Sequence, residues 1–355
     1  MKLLGVLLFA VLLQFLYSSL FDKNNEVVAS PAVNEFSAHN DNISVPQITL
    51  EDVFSNKDSS SGFSKDKLRT VLVTGDVLLA RSVNARTVGM QDFNWPFEEV
   101  AGVIREADVA IINLETPLIK NCPVTHDGMI FCGDERNVEG LLFAGIDVVN
   151  FANNHAGNYG IDGIKNTIEV LEESDLLVSG ALRPAVKSIR GMDFAFLGYS
   201  EFMQNGISFA DETIIRDEID RAKSFADVVV VQFHWGNEYT TDVSWNQKML
   251  ARIAIDAGAD LVVGNHPHWI QPVEIYNGKL IVYSHGNFIF DQEWSLKTKQ
   301  GIVGKYTFFE DKLLDVEFLP VQIEDFGQPH FLQDQRKVNI LEDLKQLSSV
   351  LLGEE

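Results

Sequence analysis

Short apolar runs, each closed at once by polar side chains, recur along most of the chain. Val71-Leu72-Val73 leads into Thr74-Gly75-Asp76, and Val109-Ala110-Ile111-Ile112 into Asn113-Leu114-Glu115. Val148-Val149-Asn150-Phe151 is followed by Asn153-Asn154-His155, and Val228-Val229-Val230-Val231-Gln232-Phe233 by His234-Trp235-Gly236-Asn237-Glu238. Leu261-Val262-Val263 opens into Gly264-Asn265-His266-Pro267-His268, and Leu280-Ile281-Val282-Tyr283 into Ser284-His285-Gly286-Asn287-Phe288. Apolar runs of this length between turn residues read as buried strands. Helical spacing is expected at Leu79–Val88, Phe97–Ala107, Ile161–Glu172 and Ile340–Leu352. Strands alternating with helices predict an α/β fold, with the polar residues gathered along one sheet rim. Over Val186–Tyr199 and Leu280–Val321, strands follow one another through short turns such as Asn277-Gly278 and Glu310-Asp311. Antiparallel hairpins and mixed sheet edges are expected there.

The chain has 355 residues, 46% of them hydrophobic, enough for a large core. Its formal net charge is −23, which argues against an electrostatic grip on nucleic acid. An anionic polymer would be repelled at long range and would need a local cationic site, for which bound metal ions are one candidate. After Met1-Lys2, the run Leu3–Phe21 is apolar and of roughly membrane-spanning length. It is either a long signal peptide or an uncleaved signal anchor, and its length favours the anchor. Both place the remainder outside the cytoplasm: at the cell membrane with a single pass, or secreted if cleavage occurs. Residues 22–69, rich in Asn, Ser, Asp and Lys, read as a flexible tether, with Ile48-Thr49-Leu50 able to dock. The folded domain is expected over 70–355.

Composition does not point to a chemistry, but the strand ends point to metal binding. Asp76, Glu115, Asn154, His155, His234, His266 and His268 form an oxygen-and-imidazole set without thiolate, which suits zinc, manganese or iron(II). Two such ions roughly 3.5–4 Å apart can hold a phosphoryl or carbonyl oxygen and generate hydroxide near neutral pH. Each residue alone has an ordinary reading: Asp76 as a helix cap, Asn153 or Asn154 as a turn residue, His234 as a core histidine beside Trp235. Six strand ends repeating the pattern weigh against all of these holding together. Trp235, Trp269 and Tyr239 either wall a substrate cleft or pack beneath the loops. Cys122 and Cys132 are the only cysteines and flank a short loop near the expected rim. In an exported chain that pair reads as a disulfide stiffening the loop; a two-thiol zinc site and free buried thiols are the alternatives.

The order and spacing of Gly75-Asp76, Asn113-Leu114-Glu115, Asn153-Asn154-His155, His234-Trp235-Gly236-Asn237-Glu238-Tyr239, His266-Pro267-His268 and Gly286-Asn287-Phe288 resemble the CapA family. These are bacterial capsule-synthesis, or poly-γ-glutamate biosynthesis, proteins related to calcineurin-like metallophosphoesterases. The resemblance runs from about Thr70 to Phe290. It implies a four-layer α/β/β/α sandwich of metallophosphatase type with mixed sheets, and one or two divalent metal ions (Mn, Zn or Fe). It further implies Asp76, Glu115, Asn154, His234, His266 and His268 as metal ligands, with Glu115 as a candidate bridge. His155 would protonate the leaving group, and Glu238 would be a general base or support the metal from outside.

Three departures stand out. Val77-Leu78 follows Asp76 where phosphoesterases carry Asp-x-His. Residue 265 is Asn where many relatives carry His, and residue 285 is His where Leu is common. Asn153, Asn265 and His285 are therefore additional site candidates. The partners implied are an anionic polymer or envelope intermediate and a membrane biosynthesis complex. A non-catalytic polymer-binding export component is the alternative to a hydrolase.

Overall fold

Along the central strands, successive side chains enter different cores, and this alternation defines the layers. The computed structural model describes residues 47–353 apart from Asn56. In chain order the strands are β1 (Leu68–Val77), β2 (Val109–Leu114), β3 (Leu118–Ile119), β4 (Gly133–Asp134), β5 (Val148–Asn150), β6 (Leu177–Ser179), β7 (Ala185–Ile189), β8 (Met192–Ser200), β9 (Val228–His234), β10 (Leu261–Asn265), β11 (Ile270–Tyr276), β12 (Lys279–His285), β13 (Asn287–Ile289), β14 (Gln300–Phe309), β15 (Lys312–Glu324) and β16 (Gln328–Phe331). The longer helices are α1 (Arg81–Met90), α2 (Val138–Ala144), α3 (Gly160–Glu173), α4 (Glu212–Lys223), α5 (Trp245–Asp256) and α6 (Gln335–Leu352).

One sheet runs β16-β15-β14-β1-β2-β5-β6, with β13 pairing beside β1; the other runs β11-β12-β10-β9-β8-β7. Val71 and Val73, Val109 and Ile111, Val228 and Val230, and Leu261 and Val263 fill one cluster between the two sheets. Their neighbours turn the other way. Leu72, Ala110 and Ile112 meet Val83, Leu141, Ile164 and Leu171 of α1, α2 and α3. Val229, Val231 and Val262 meet Ile215, Ile219, Leu250 and Ala254 of α4 and α5. Side chains two apart share a face in a strand, so the result is helices, sheet, sheet, helices: the four-layer α/β/β/α sandwich. Within the first sheet β1, β2, β5 and β6 are parallel, and within the second so are β8, β9, β10 and β12. Parallel strands present their carboxyl ends together, which creates the rim.

The expected hairpins form at β11–β12 and β14–β15. Asn277 and Gly278 both adopt positive φ, as a two-residue turn between twisted strands requires. Other elements differ from expectation. The helix expected over Phe97–Ala107 is broken into a 3-10 turn, Trp95–Phe97, entered through Pro96, and one α-turn, Ala101–Ile104. The C-terminal helix begins at Gln335 rather than Ile340, because Asp334 accepts from the Arg336 N–H and starts it earlier. In the stretch read as a tether, Ile48, expected to be able to dock, is buried with Val53 in the inter-sheet cluster, and β1 begins at Leu68. The expected anchor at Leu3–Phe21 lies outside the described residues. Among the described residues, no helix is long and apolar enough to cross a membrane.

Candidate metal centre

The rim is assembled by register. Asp76 lies opposite Asn113 of β2 and Asn287 of β13, Asn113 opposite Asn150, and His234 opposite Asn265. Gly75 permits this crowding: a Cβ there would stand 2.3 Å from the Gly286 carbonyl oxygen. Gly264 does the same beneath the histidine loop, where a Cβ would lie 2.1 Å from the Tyr283 carbonyl oxygen. That clearance also lets the Trp235 indole donate to the Tyr283 carbonyl at 2.9 Å.

Two sets of ligand-capable atoms gather at the rim, Asp76 with Glu115 and His234, and Glu238 with His266 and His268, each set within 4.8 Å. His234 Nε2 lies 3.0 Å from His266 Nδ1, 2.9 Å from Asn154 Oδ1 and 3.6 Å from Glu115 Oε1. Asp76 accepts from Asn113 Nδ2 at 2.8 Å and from the His266 backbone N–H at 3.1 Å, and its Oδ2 lies 3.4 Å from His268 Nδ1. His266, His268, Tyr239 and Arg81 all have positive φ although none is glycine. Such strain, gathered at one rim, is characteristic of sites where structure is held for function.

Electrostatics separates the two carboxylates. Burial works to raise Asp76, but the His268 hydrogen bond, the charges of His268 and His234 and the His266 N–H hold it well below the usual carboxylate range. Burial and the neighbouring Asp76 push Glu115 well above it. His234 is held far below the usual imidazole value by burial and by His266, and burial with His268 lowers His266 to about 3. Neutral imidazole is the form that ligates a metal.

These residues fit a divalent cation. Glu115 Oε2 is buried without a hydrogen-bond partner. One ring proton on His234 Nε2 cannot satisfy a carboxylate, an amide oxygen and a second imidazole together, so lone pairs face lone pairs. A cation among them would answer all of these and remove the conflict between Asp76 and Glu115.

His155 sits beside this set, lowered to about 4 chiefly by burial. Asn153 braces its loop instead of facing the set: its Nδ2 donates to the Leu114 carbonyl at 2.7 Å and its Oδ1 accepts from the His155 N–H. Asn265 is engaged by Gln232, whose Nε2 donates to its Oδ1 at 2.7 Å. His285 points into the core, 2.8 Å from the Tyr306 hydroxyl and 3.3 Å from the Gly264 carbonyl oxygen. Trp235 is fully buried and stacked on Phe233, hence a packing residue, whereas Tyr239 stacks on His268. Cys122 and Cys132 form a disulfide.

Four residues given no role from sequence belong to the centre. Asn113 Nδ2 reaches Asp76, Glu115 and His234. Asn287 holds His268, Phe202 packs on His266 at 4.6 Å, and Arg81 pairs with Asp291 next to Phe131. For Asn113 a signal existed: it lies two residues before Glu115, on the same strand face.

Comparison with known proteins gives the chain its relatives. The family model for bacterial capsule synthesis protein PGA_cap matches residues 70–292. The PGA biosynthesis protein CapA of Bacillus subtilis is 34% identical over 282 residues, covering 74% of this chain and 73% of the relative. The capsule biosynthesis protein CapA of Bacillus anthracis is 31% identical, covering 73% and 68%. Among solved structures, a crystal structure described as a novel phosphatase from Mycoplasma pneumoniae superposes with a TM-score of 0.50 at 14% identity. It covers 77% of this chain and 96% of that one, a likeness that speaks to the fold alone. A family match over most of the folded part, with relatives above 30% identity, places this chain in the bacterial capsule synthesis protein PGA_cap family.

Proposed function

We propose that the chain is a membrane-tethered, extracytoplasmic component of capsule or poly-γ-glutamate biosynthesis that uses divalent metal ions to hydrolyse a phosphoester-type bond in an envelope intermediate. The observation that carries this reading is the convergence of Asp76, Glu115, Asn154, His234, His266 and His268 beside His155. A divalent ion held by them supplies Lewis acidity at the reacting centre. Among the chain's own groups, Asp76 contributes the carboxylate that stays charged. His155, whose Nδ1 lies 3.1 Å from Asn158 Oδ1, is the group placed to take up and return a proton. An anionic substrate beside it opposes the burial that disfavours the imidazolium. Glu238, half-buried and near His266 and His268, is the candidate base. The disulfide agrees with an oxidising compartment, and the apolar Leu3–Phe21 run supplies the tether.

One observation favours a second reading, in which the domain binds an anionic polymer within an export complex without turning it over. Val77 and Leu78 are fully buried apolar residues where a phosphoesterase places a further ligand. The two readings separate in one experiment. With manganese or zinc present, the full chain should hydrolyse a chromogenic phosphoester, and Glu115→Gln and His155→Ala should abolish this. No hydrolysis of phosphomonoesters or diesters, with poly-γ-glutamate binding that survives Asp76→Ala, would favour the second.

A further inference from the structure

The segment closed by the Cys122–Cys132 disulfide reaches His155 at Phe131. Phe131 is 2% exposed, and its ring stacks on the His155 imidazole with centroids 3.9 Å apart and planes at 28°. Its backbone N–H donates to Asn158 Oδ1 at 2.6 Å. The same oxygen lies 3.1 Å from His155 Nδ1. A backbone N–H can only donate, so the amide atom between Phe131 and His155 is the oxygen. An oxygen there requires the proton of the neutral imidazole to sit on Nδ1, leaving Nε2 as the exchanging nitrogen.

The rest of the loop has little packing of its own. Val124, Met129 and Ile130 are 53%, 62% and 70% exposed, whereas Cys122, Phe131 and Cys132 are buried. It is held at its ends and along its length by specific ties. β3 and β4 pair at its base, and the disulfide closes it. Arg81, packed 4.8 Å from the Phe131 ring, donates to the Gly128 carbonyl at 3.3 Å, and Ser82 donates to the His126 carbonyl at 3.4 Å. A loop with exposed apolar side chains and few buried contacts opens easily unless such ties hold it.

We propose that this disulfide-closed loop positions His155: Phe131 fixes the plane of the imidazole and, through Asn158, its tautomer. Phe131 and Asn158 are thus positioning residues for the proton transfer, and the proposal rests on the reading of His155 as the proton carrier. Misalignment of such a group by about 1 Å is enough to slow turnover strongly.

The experiment is ¹⁵N NMR of the full chain labelled at histidine, with His155 assigned by His155→Gln, run beside turnover assays. The wild type should show the Nδ1–H tautomer. Asn158→Ala should shift the population toward Nε2–H and lower kcat roughly ten- to a hundred-fold with little change in KM. Asn158→Asp, which keeps an acceptor at that place, should restore the tautomer. Phe131→Ala and Cys122→Ser/Cys132→Ser should move the tautomer in the same direction as Asn158→Ala. An unchanged His155 tautomer in Asn158→Ala and in the double cysteine variant would overturn the proposal. So would undiminished turnover in Asn158→Ala when His155→Ala is inactive. If the wild type hydrolyses nothing, the hydrolase reading fails, while the tautomer measurement still decides the positioning.

Discussion

Asn287 decides what His268 can do. Its Nδ2 donates to the Thr298 carbonyl at 2.8 Å and to Gln292 Oε1 at 3.0 Å, which turns its Oδ1 toward His268 Nδ1 at 2.8 Å. His268 therefore keeps its proton on Nδ1, and Nε2 is left to ligate. Asn287→Ala should weaken metal binding roughly ten- to a hundred-fold, read by competition with a chelator, with little change in fold. His285 acts differently. Burial holds its imidazole at about 4, below the ordinary 6.5, despite the pull of the Gly264 carbonyl and Asp76. The unfolded chain takes the proton first. The stability contributed by neutral His285 is thus complete above pH 6.5 and is lost as pH falls toward 4. His285→Leu should remove one of several such contributions, beside those of His155, His234 and His266, and make the stability of the metal-free chain fall less steeply across that interval, measured by urea unfolding at successive pH values. The sequence exposed the residues that converge at the rim because strand ends place chemistry in a readable order. It placed Asn287 in the strand-end series without a role and did not single out Phe131, because their roles depend on partners 19 and 24 residues away in the chain (His268 and His155).

Among the elements, α5 and the loop before it tie the fold to the rim. Ser244 Oγ accepts from the Gln247 N–H at 3.1 Å, and Gln247 Oε1 accepts from the Ser244 N–H at 2.9 Å, a capping box that starts the helix. The other end of Gln247 donates to Gln271 Oε1 at 2.8 Å, and Gln271 Nε2 donates to the Thr240 and Asp242 carbonyls. One buried amide pair thus anchors the loop that carries Glu238. Gln247→Leu should cost about 1–3 kcal/mol, because it leaves Gln271 Oε1 and the Ser244 N–H without these partners, and it should speed hydrogen exchange over Thr240–Asp242. The fold was legible at this scale where apolar runs were uniform, as in β9 and β10. It was less so in α4, where Ile215, Ile219 and Ala222 alone reach the core among Glu212, Arg216, Asp217 and Asp220. A thin stripe of that kind is hard to distinguish from a solvated loop.

For the whole molecule, charge and site pull in opposite directions. A chain of net charge −23 repels a polyanion at a distance, while the divalent cations proposed for the rim would attract it locally. Association of the metal-loaded chain with poly-γ-glutamate should therefore speed up as ionic strength rises from low to physiological, measured by stopped-flow binding. A slowdown over that range would point to a basic docking surface instead. The four layers bring β1, β2, β5, β9 and β10 to one edge, and the proposed function depends on what that edge holds. The most direct test is the metal content of the purified full chain, by elemental analysis, for wild type and His266→Ala/His268→Ala. The wild type should hold about one to two equivalents of transition metal, and the double variant should lose them. A wild-type chain that binds none, even after reconstitution with manganese, zinc or iron(II), would contradict the proposed function.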